Sequence, residues 1–130
     1  MSPPVRRARG DQGVAALMTA MLMPAVLFMT MLVVQAGVYW NTQQRATAAA
    51  KQAANAAAMT TGTEATGMEA GQNFLEGATI EGANVDVDRG PEEVTATVTG
   101  DVAQVVPGVH FTVTAVEVVP VERFIPENEP

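Results

Sequence analysis

The sequence VAALMTAMLMPAVLFMTMLVVQAGVYW, residues 14–40, decides the fold. Its 27 residues carry no charge, and the charge-free run extends further, from Gln12 to Gln44. As a helix rising about 1.5 Å per residue it is roughly 40 Å long, more than the ~30 Å hydrocarbon core of a bilayer. A chain of 130 residues has too little other sequence to surround such a rod as the core of a soluble domain. The stretch therefore predicts a transmembrane helix over residues 14–40.

Charge is distributed unevenly on the two sides of this predicted helix. Residues 1–13 carry three arginines against one aspartate, whereas residues 60–130 carry thirteen Asp and Glu against two arginines, in a chain of net charge −7. Basic residues before a span and an acidic body after it predict a cytoplasmic N-terminus and an external C-terminal part, in the cell membrane or at the cell surface. The acidic body also argues against a nucleic-acid partner, because phosphate binding needs clustered Lys and Arg.

The N-terminal residues raise the question of export and cleavage. Residues 1–13, MSPPVRRARGDQG, show no apolar periodicity and predict a flexible cytoplasmic leader. Arg6 and Arg7 are compatible with a twin-arginine signal, but their flanks add nothing to it. A secretory signal peptide cut before Gly37 is the stronger competitor, yet the apolar run is nearly twice the length of a signal-peptide core. Retention as a membrane anchor is the favoured interpretation.

Three features inside the predicted span carry structural expectations. Pro24 lacks a backbone donor and is expected to kink or loosen the helix around residues 20–24. Gln35 is expected to bond another helix or to reach the membrane interface. Tyr39 and Trp40 close the run and are predicted to anchor the helix at the outer interface.

The helix is predicted to continue beyond the membrane. Alanine dominates from Gln43 to Met59 without glycine or proline, and residues 60–62 provide a stop. These signals predict one helix of roughly 45 residues. Its extension over residues 41–62 has small side chains that allow close packing.

The remaining sequence predicts a small extracytoplasmic α/β domain over residues 63–125 and an acidic tail over residues 126–130. Residues 63–77 predict a short helix, which its glycines weaken. Its buried residues are expected to be its larger apolar side chains, Met68, Phe74 and Leu75.

Three stretches alternate apolar and polar residues and therefore predict strands. They cover residues 78–88, 92–105 and 110–124, with turn signals at residues 88–91 and 106–108. The prediction is an α+β, pilin-like fold in which a three-stranded antiparallel sheet lays its apolar face on the long helix.

Residues able to support catalysis or metal binding are few. His110 is the single histidine and there is no cysteine, so thiolate sites and nucleophilic triads are not supported. Asp86 and Asp88 share one face of a strand and could hold a cation weakly beside Glu92 or Glu93. Calcium sites usually need more oxygens on a shaped loop, so we expect no metal site. We expect no enzyme, no cofactor and no small-molecule substrate. An enzymatic alternative would depend on His110 or on the aspartate pair.

The order of parts resembles the TadE-like family, pilin-like proteins of tight-adherence (Tad) pilus systems. The shared parts are a basic leader ending in glycine, a long apolar helix with an early proline, an aromatic pair, an alanine-rich extension and a small β domain closing with VPVERF. The resemblance covers nearly the whole chain. It implies a leader cut between Gly13 and Val14 by a prepilin peptidase, and it matches Pro24 to the family's proline. Where the family typically has glutamate, five residues after the cut, this chain has Met18.

The resemblance implies a structural function. In pilins that glutamate is thought to pair with the freed N-terminal amine of a neighbouring subunit, and Met18 cannot make this pair. Two forms therefore stay open: a processed minor pilin, and a pilus-assembly component that keeps its leader. Both work by helix packing in the membrane and by contacts with other pilin-like subunits and Tad assembly proteins. The alternative from another class is a single-pass tethered or secreted binding module unrelated to pili, with its β face as the contact surface.

Overall fold

The computed structural model describes residues 8–123 and residue 125. Its elements, in chain order, are helices α1 (Ala8–Ala58) and α2 (Glu64–Leu75) and strands β1 (Ile80–Arg89), β2 (Glu93–Val102) and β3 (Thr112–Pro120). The three strands form one antiparallel sheet in the order β1-β2-β3. This architecture confirms the predicted α+β fold. The predicted tail at residues 126–130 and the paired arginines of the leader lie outside the described residues.

Helix α1 is a single element of 51 residues that continues through Pro24. It begins at Ala8, so the prediction of a flexible leader is wrong for residues 8–13, which are helical. One glycine in a helix costs only about 1 kcal/mol, and extending a helix already nucleated by a long apolar run needs no new nucleus. The predicted stop is confirmed, because α1 ends at Ala58 and the amide of Gly62 donates to the carbonyl of Met59 in the turn that follows.

The core lies on one stripe of α1. Six alanines of this stripe are completely buried: Ala46, Ala49, Ala50, Ala53, Ala54 and Ala57. Their spacing of three and four residues places them on one helical face, against which α2 and the sheet pack. Because each side chain is a single methyl group, neighbouring backbones approach closely. The alanine-rich extension is therefore a packing surface, as predicted.

Helix α2 is capped at its start and packs closely through its glycines. Thr63 is the N-cap and forms a capping box with Thr66. A Cβ added to Gly67 would lie 2.8 Å from the Cβ of Ala57, and one added to Gly71 would lie 2.8 Å from Cγ1 of Val85. The glycines that weaken the helix prediction are thus the points at which α2 contacts its neighbours.

The face of α2 that carries Gly67 and Gly71 also determines which of its larger side chains are buried. Gly67, Gly71 and Leu75 are buried at intervals of four residues, and Met68 is partly buried beside them. Phe74 is 42% exposed, so the prediction that it is buried is wrong. It precedes Leu75 by one residue, which turns it about 100° away from the packed face.

The sheet covers the alanine stripe with small β-branched side chains. Val98, at the centre of β2, is paired with Val85 of β1 and Ala115 of β3, and all three are buried. Alternate residues point to the other face, where Asp86 and Thr114 are exposed and Thr97 between them is half-buried. The predicted arrangement of one apolar face on the helix and one polar face outward is confirmed, apart from the exposed Val116 and Val118 of β3.

Candidate membrane anchor and its junction with the sheet domain

Residues 14–34 of α1, here called the apolar segment, protrude from the rest of the described chain. All are exposed except Met31, which is half-buried, and Met21 is 73% exposed. At about 1.5 Å per residue the segment is about 31 Å long, enough to cross the ~30 Å hydrocarbon core. α1 is the one helix in the described part of the chain that is long and apolar enough to cross a membrane, and none of its most apolar stretch is buried. This is unlike the core helix of a soluble domain.

The hydroxyl groups of the apolar segment bond within the helix itself. Thr19 Oγ1 donates to the carbonyl of Ala15 at 2.9 Å, and Thr30 Oγ1 donates to the carbonyl of Val26 at 2.9 Å. Such bonds to the preceding turn satisfy the hydroxyl donors without water. The surface that the segment presents is therefore compatible with lipid.

Gln35 joins the helix to the loop between β2 and β3 (residues 103–111, the β2–β3 loop). Its side chain is buried, with 3% of the residue exposed. Nε2 donates to the carbonyl of Ala103 at 3.3 Å, while Oε1 accepts from the amides of Val105 at 2.7 Å and Val106 at 3.2 Å. The expectation that Gln35 bonds another helix is wrong, because its partners are backbone groups of a loop of its own chain. Its position at the membrane interface stays a prediction. These loop groups have no ladder partner, and one carboxamide satisfies three of them.

The buried stripe of α1 fixes the orientation of the sheet domain. It begins at Gln35 and ends at Ala58, whose carbonyl accepts from the amide of Glu122 at 2.9 Å. β2 runs from the turn after β1 towards Gln35, so the β2–β3 loop lies at the end of the domain nearest the apolar segment. The turn that holds Glu92 lies at the opposite end of β2.

Aromatic residues surround the junction. The rings of Tyr39 and Phe111 meet edge to face with centroids 5.8 Å apart and an interplanar angle of 65°. Trp40 is 68% exposed and Phe111 is 43% exposed. An open groove of about 530 Å³ is lined by Leu32, Gln35, Ala36, Tyr39, Trp40, Phe111 and Thr112. Phe111, predicted within a strand, precedes β3 and contacts the helix instead. An interfacial role for Tyr39 and Trp40 stays a prediction.

The residues of the predicted cleavage site all lie on the helical surface. The bond between Gly13 and Val14 lies inside α1, and a Cβ added to Gly13 would meet nothing within 4 Å. Met18 and Pro24 are exposed in the apolar segment. The four positions are thus accessible to another helix or to an enzyme in the membrane, and their roles stay predictions.

The candidate cation site is not assembled by the described residues. Asp86 and Asp88 are exposed and face Thr97 and Thr95 of β2 in the ladder, not other carboxylates. No group of three or more His, Asp or Glu able to hold a metal occurs in the described part of the chain. His110 is exposed in the β2–β3 loop. What the geometry provides is a packing and anchoring surface.

These features define a class of protein: a small α+β domain carried on one long helix whose N-terminal half is apolar and exposed. Residues 13–55 match the family described as TadE-like protein, so the chain contains a TadE-like domain over these residues. The match confirms the predicted resemblance for about a third of the chain, the part that holds the apolar segment, Gln35 and much of the alanine stripe. The TadE-like family is one of generally non-enzymatic, pilin-like structural proteins of Tad pilus systems. No curated protein and no solved structure gave a significant match.

Proposed function

We propose that this protein is a single-pass, membrane-anchored minor pilin or pilus-assembly component of a Tad-type pilus. The observation that carries the proposal is an overlap between the family match and the exposed part of α1. The TadE-like domain, residues 13–55, contains both the exposed apolar segment and the start of the covered part of α1. A helix that leaves its own domain at Gln35 with an uncovered apolar surface needs lipid, or the helices of other subunits, to cover that surface.

Charge supports an orientation with the N-terminus in the cytoplasm. Three arginines precede the apolar segment, and the sheet domain that follows carries most of the chain's carboxylates. Positive residues next to a span are retained on the cytoplasmic side. The sheet domain is then external, where contacts with neighbouring subunits or Tad assembly proteins are made.

The junction supports a retained anchor over a cleaved signal peptide. A cut before Gly37 would remove Gln35 from the mature chain. The carbonyl of Ala103 and the amides of Val105 and Val106 would lose the side chain that binds them. Cleavage after Gly13 or an intact leader keeps that side chain in place.

Mass spectrometry of the protein extracted from membranes tests this assignment. We expect an N-terminus at Val14 or an intact leader. A mature N-terminus at Gly37 would overturn the anchored form.

Pilus association is tested by cross-linking in the native host, followed by isolation of sheared fibres and of the membrane fraction. We expect cross-links to pilin-like subunits or Tad assembly proteins in one of the two fractions. Met18→Glu restores the charge found in other family members, and Met18→Gln is its uncharged control. A minor pilin should enter the fibre more efficiently with Met18→Glu than with Met18→Gln, whereas an assembly component should stay in the membrane with both. Absence of these partners from both fractions would contradict the pilus assignment.

A tethered binding module is the second candidate, favoured by the outer face of β3. Val116 and Val118 are exposed there, on an edge strand of the sheet. Replacing both with threonine keeps the β-branched shape and removes apolar surface. If pilus assembly is the function, cross-links to pilin-like subunits should survive this change. If the module binds a partner through its sheet, capture of that partner should be lost while the protein stays in the membrane.

A further inference from the structure

We infer that the β2–β3 loop is a second membrane contact, resting on the headgroup and acyl boundary of the bilayer beside the emerging helix. The inference depends on the proposed function, because it requires the apolar segment to span the membrane. It adds a second contact with the membrane to the one made by the apolar segment. Lipid is the proposed partner that covers the β2–β3 loop.

The first support is the height of the loop along α1. Gln35 is the residue directly after the apolar segment, and its three hydrogen bonds hold Ala103 to Val106 at that level. Phe111, at the other end of the loop, lines one groove together with Leu32, which belongs to the apolar segment. When residues 14–34 fill the hydrocarbon core, both ends of the loop lie within about one helical turn, ~5 Å, of its edge.

The second support is the chemistry of the loop. Residues 103–111, AQVVPGVHF, contain no Asp, Glu, Lys or Arg, although the body around them is acidic. Pro107 and Phe111 are exposed, and the exposed Trp40 lines the same groove as Phe111. Aromatic rings and short apolar loops are stable at the headgroup level, where one side is wet and the other is apolar.

The third support is the position of the nearest charges. Glu81 and Asp101 are paired across β1 and β2, just before β2 enters the loop. Asp101 accepts a hydrogen bond from Thr112 Oγ1 at 3.0 Å, so it is held at the start of β3. Glu92 and Glu93 lie at the opposite end of β2. Glu81 and Asp101 thus lie at the base of the loop, where they line a groove with Gln104 and His110, while the loop itself carries no Asp, Glu, Lys or Arg. A loop of this composition at the level of the membrane edge favours lipid as the occupant.

Attachment at two points has a mechanical consequence for the sheet domain. A domain held only by α1 can tilt with the helix and turn about its axis. Contact between the loop and the bilayer fixes which side of the domain faces the membrane. The exposed face with Asp86 and Thr114 is then presented to the exterior in one orientation.

Site-directed spin labelling of the full chain in phosphatidylcholine vesicles tests the inference. The native sequence has no cysteine, so each variant carries one label site. Pro107→Cys reports the loop, Val26→Cys reports the middle of the apolar segment, and Glu92→Cys reports the far end of β2. Collisions with oxygen, which concentrates in lipid, and with a water-soluble nickel chelate are measured for each label. We expect lipid-like values at Val26, aqueous values at Glu92, and at Pro107 several-fold fewer nickel collisions than at Glu92.

The outcomes separate the loop contact from the anchor. A Pro107 label as open to nickel as the Glu92 label, with Val26 in lipid, would overturn the loop contact and leave the proposed function standing. Aqueous values at Val26 would remove the proposed function and the loop contact together. Dilution of the protein with lipid distinguishes the occupant: shielding that persists supports lipid, whereas shielding lost on dilution shows that a second copy covers the loop and overturns the inference. Trp40, the single tryptophan, provides an unlabelled check of the anchor alone, since quenching of its emission by brominated lipid reports the level of α1 and its absence would contradict the membrane span.

Discussion

Replacement of Gln35 by leucine perturbs the junction between the apolar segment and the sheet domain. Leucine has a similar volume and a high helix propensity, so α1 itself should be unaffected. The substitution removes both polar atoms that bind the β2–β3 loop. The amides of Val105 and Val106 and the carbonyl of Ala103 then lose their partner at a position that is 3% exposed.

The magnitude follows from the number of backbone groups left without a partner. A buried donor or acceptor that loses its partner costs about 1–3 kcal/mol. The loop can recover part of this by opening to water, so we expect the free energy of loop opening to fall by about 2–4 kcal/mol. At about 1.4 kcal/mol per factor of ten, the open population rises about 30- to 700-fold.

Amide hydrogen exchange of the full chain in lipid nanodiscs measures this population residue by residue. Exchange at Val105 and Val106 should accelerate by the factor given above, while the amide of Val98 at the centre of the sheet should change little. Gln43→Leu is the matched control, because Gln43 makes a single exposed bond, from Nε2 to the carbonyl of Thr114 at 3.1 Å. Loss of this bond should accelerate amide exchange in the residues around Gln43 and Thr114 by at most about tenfold. Equal effects of the two substitutions, or unchanged rates in Gln35→Leu, would refute the reasoning.

Three further substitutions test the packing of the domain, each followed by thermal unfolding of the full chain in detergent. Gly71→Ala should lower the free energy of unfolding by about 1–3 kcal/mol through overpacking. Gly37→Ala is its control, because the added methyl meets open space, and it should be neutral or stabilising by up to about 1 kcal/mol. A larger loss of stability in Gly37→Ala than in Gly71→Ala would contradict the close contact of α2. Thr63→Ala should cost about 1 kcal/mol through loss of the cap, and an unchanged melting temperature would show that the capping box contributes nothing. Ala53→Leu should cost about 1–3 kcal/mol or more, whereas Asn55→Leu on the exposed face should have little effect, and comparable losses would show that the alanine stripe is not specially packed.

The main elements are predictable because each is a local property of the chain. A charge-free run, an alanine run without breakers and three stretches that alternate apolar and polar residues predict the long helix and the sheet through their periodicity. The family resemblance could be found for the same reason, since it depends on the order of these parts. The start of α1 at Ala8 was missed because glycine and arginine composition indicates disorder, whereas the neighbouring apolar helix supplies the nucleus.

The junction was not predictable because it depends on contacts distant in sequence. Gln35 bonds residues about 70 positions further along the chain, and nothing near Gln35 identifies that loop. One signal was available: a lone amide in an apolar run needs partners wherever it is buried. Gly67 and Gly71 were judged by their helix propensity, while their role is close packing against α1 and β1. Phe74 was expected inside because it is large and apolar, but the face of α2 that packs on α1 has no room for it.

The uninterrupted course of α1 from Ala8 to Ala58 also sets a rotational phase. Each residue turns the helix by about 100°, so the direction in which the sheet domain points is locked to the side of the apolar segment that meets a neighbour. One residue inserted after Val34 would swing the domain by that angle with only about 1.5 Å of added height. Seven inserted residues would return it to within about 20° while raising it by roughly 10 Å. In an ordered array of such chains, angular register is therefore specified by counting residues along a single rod.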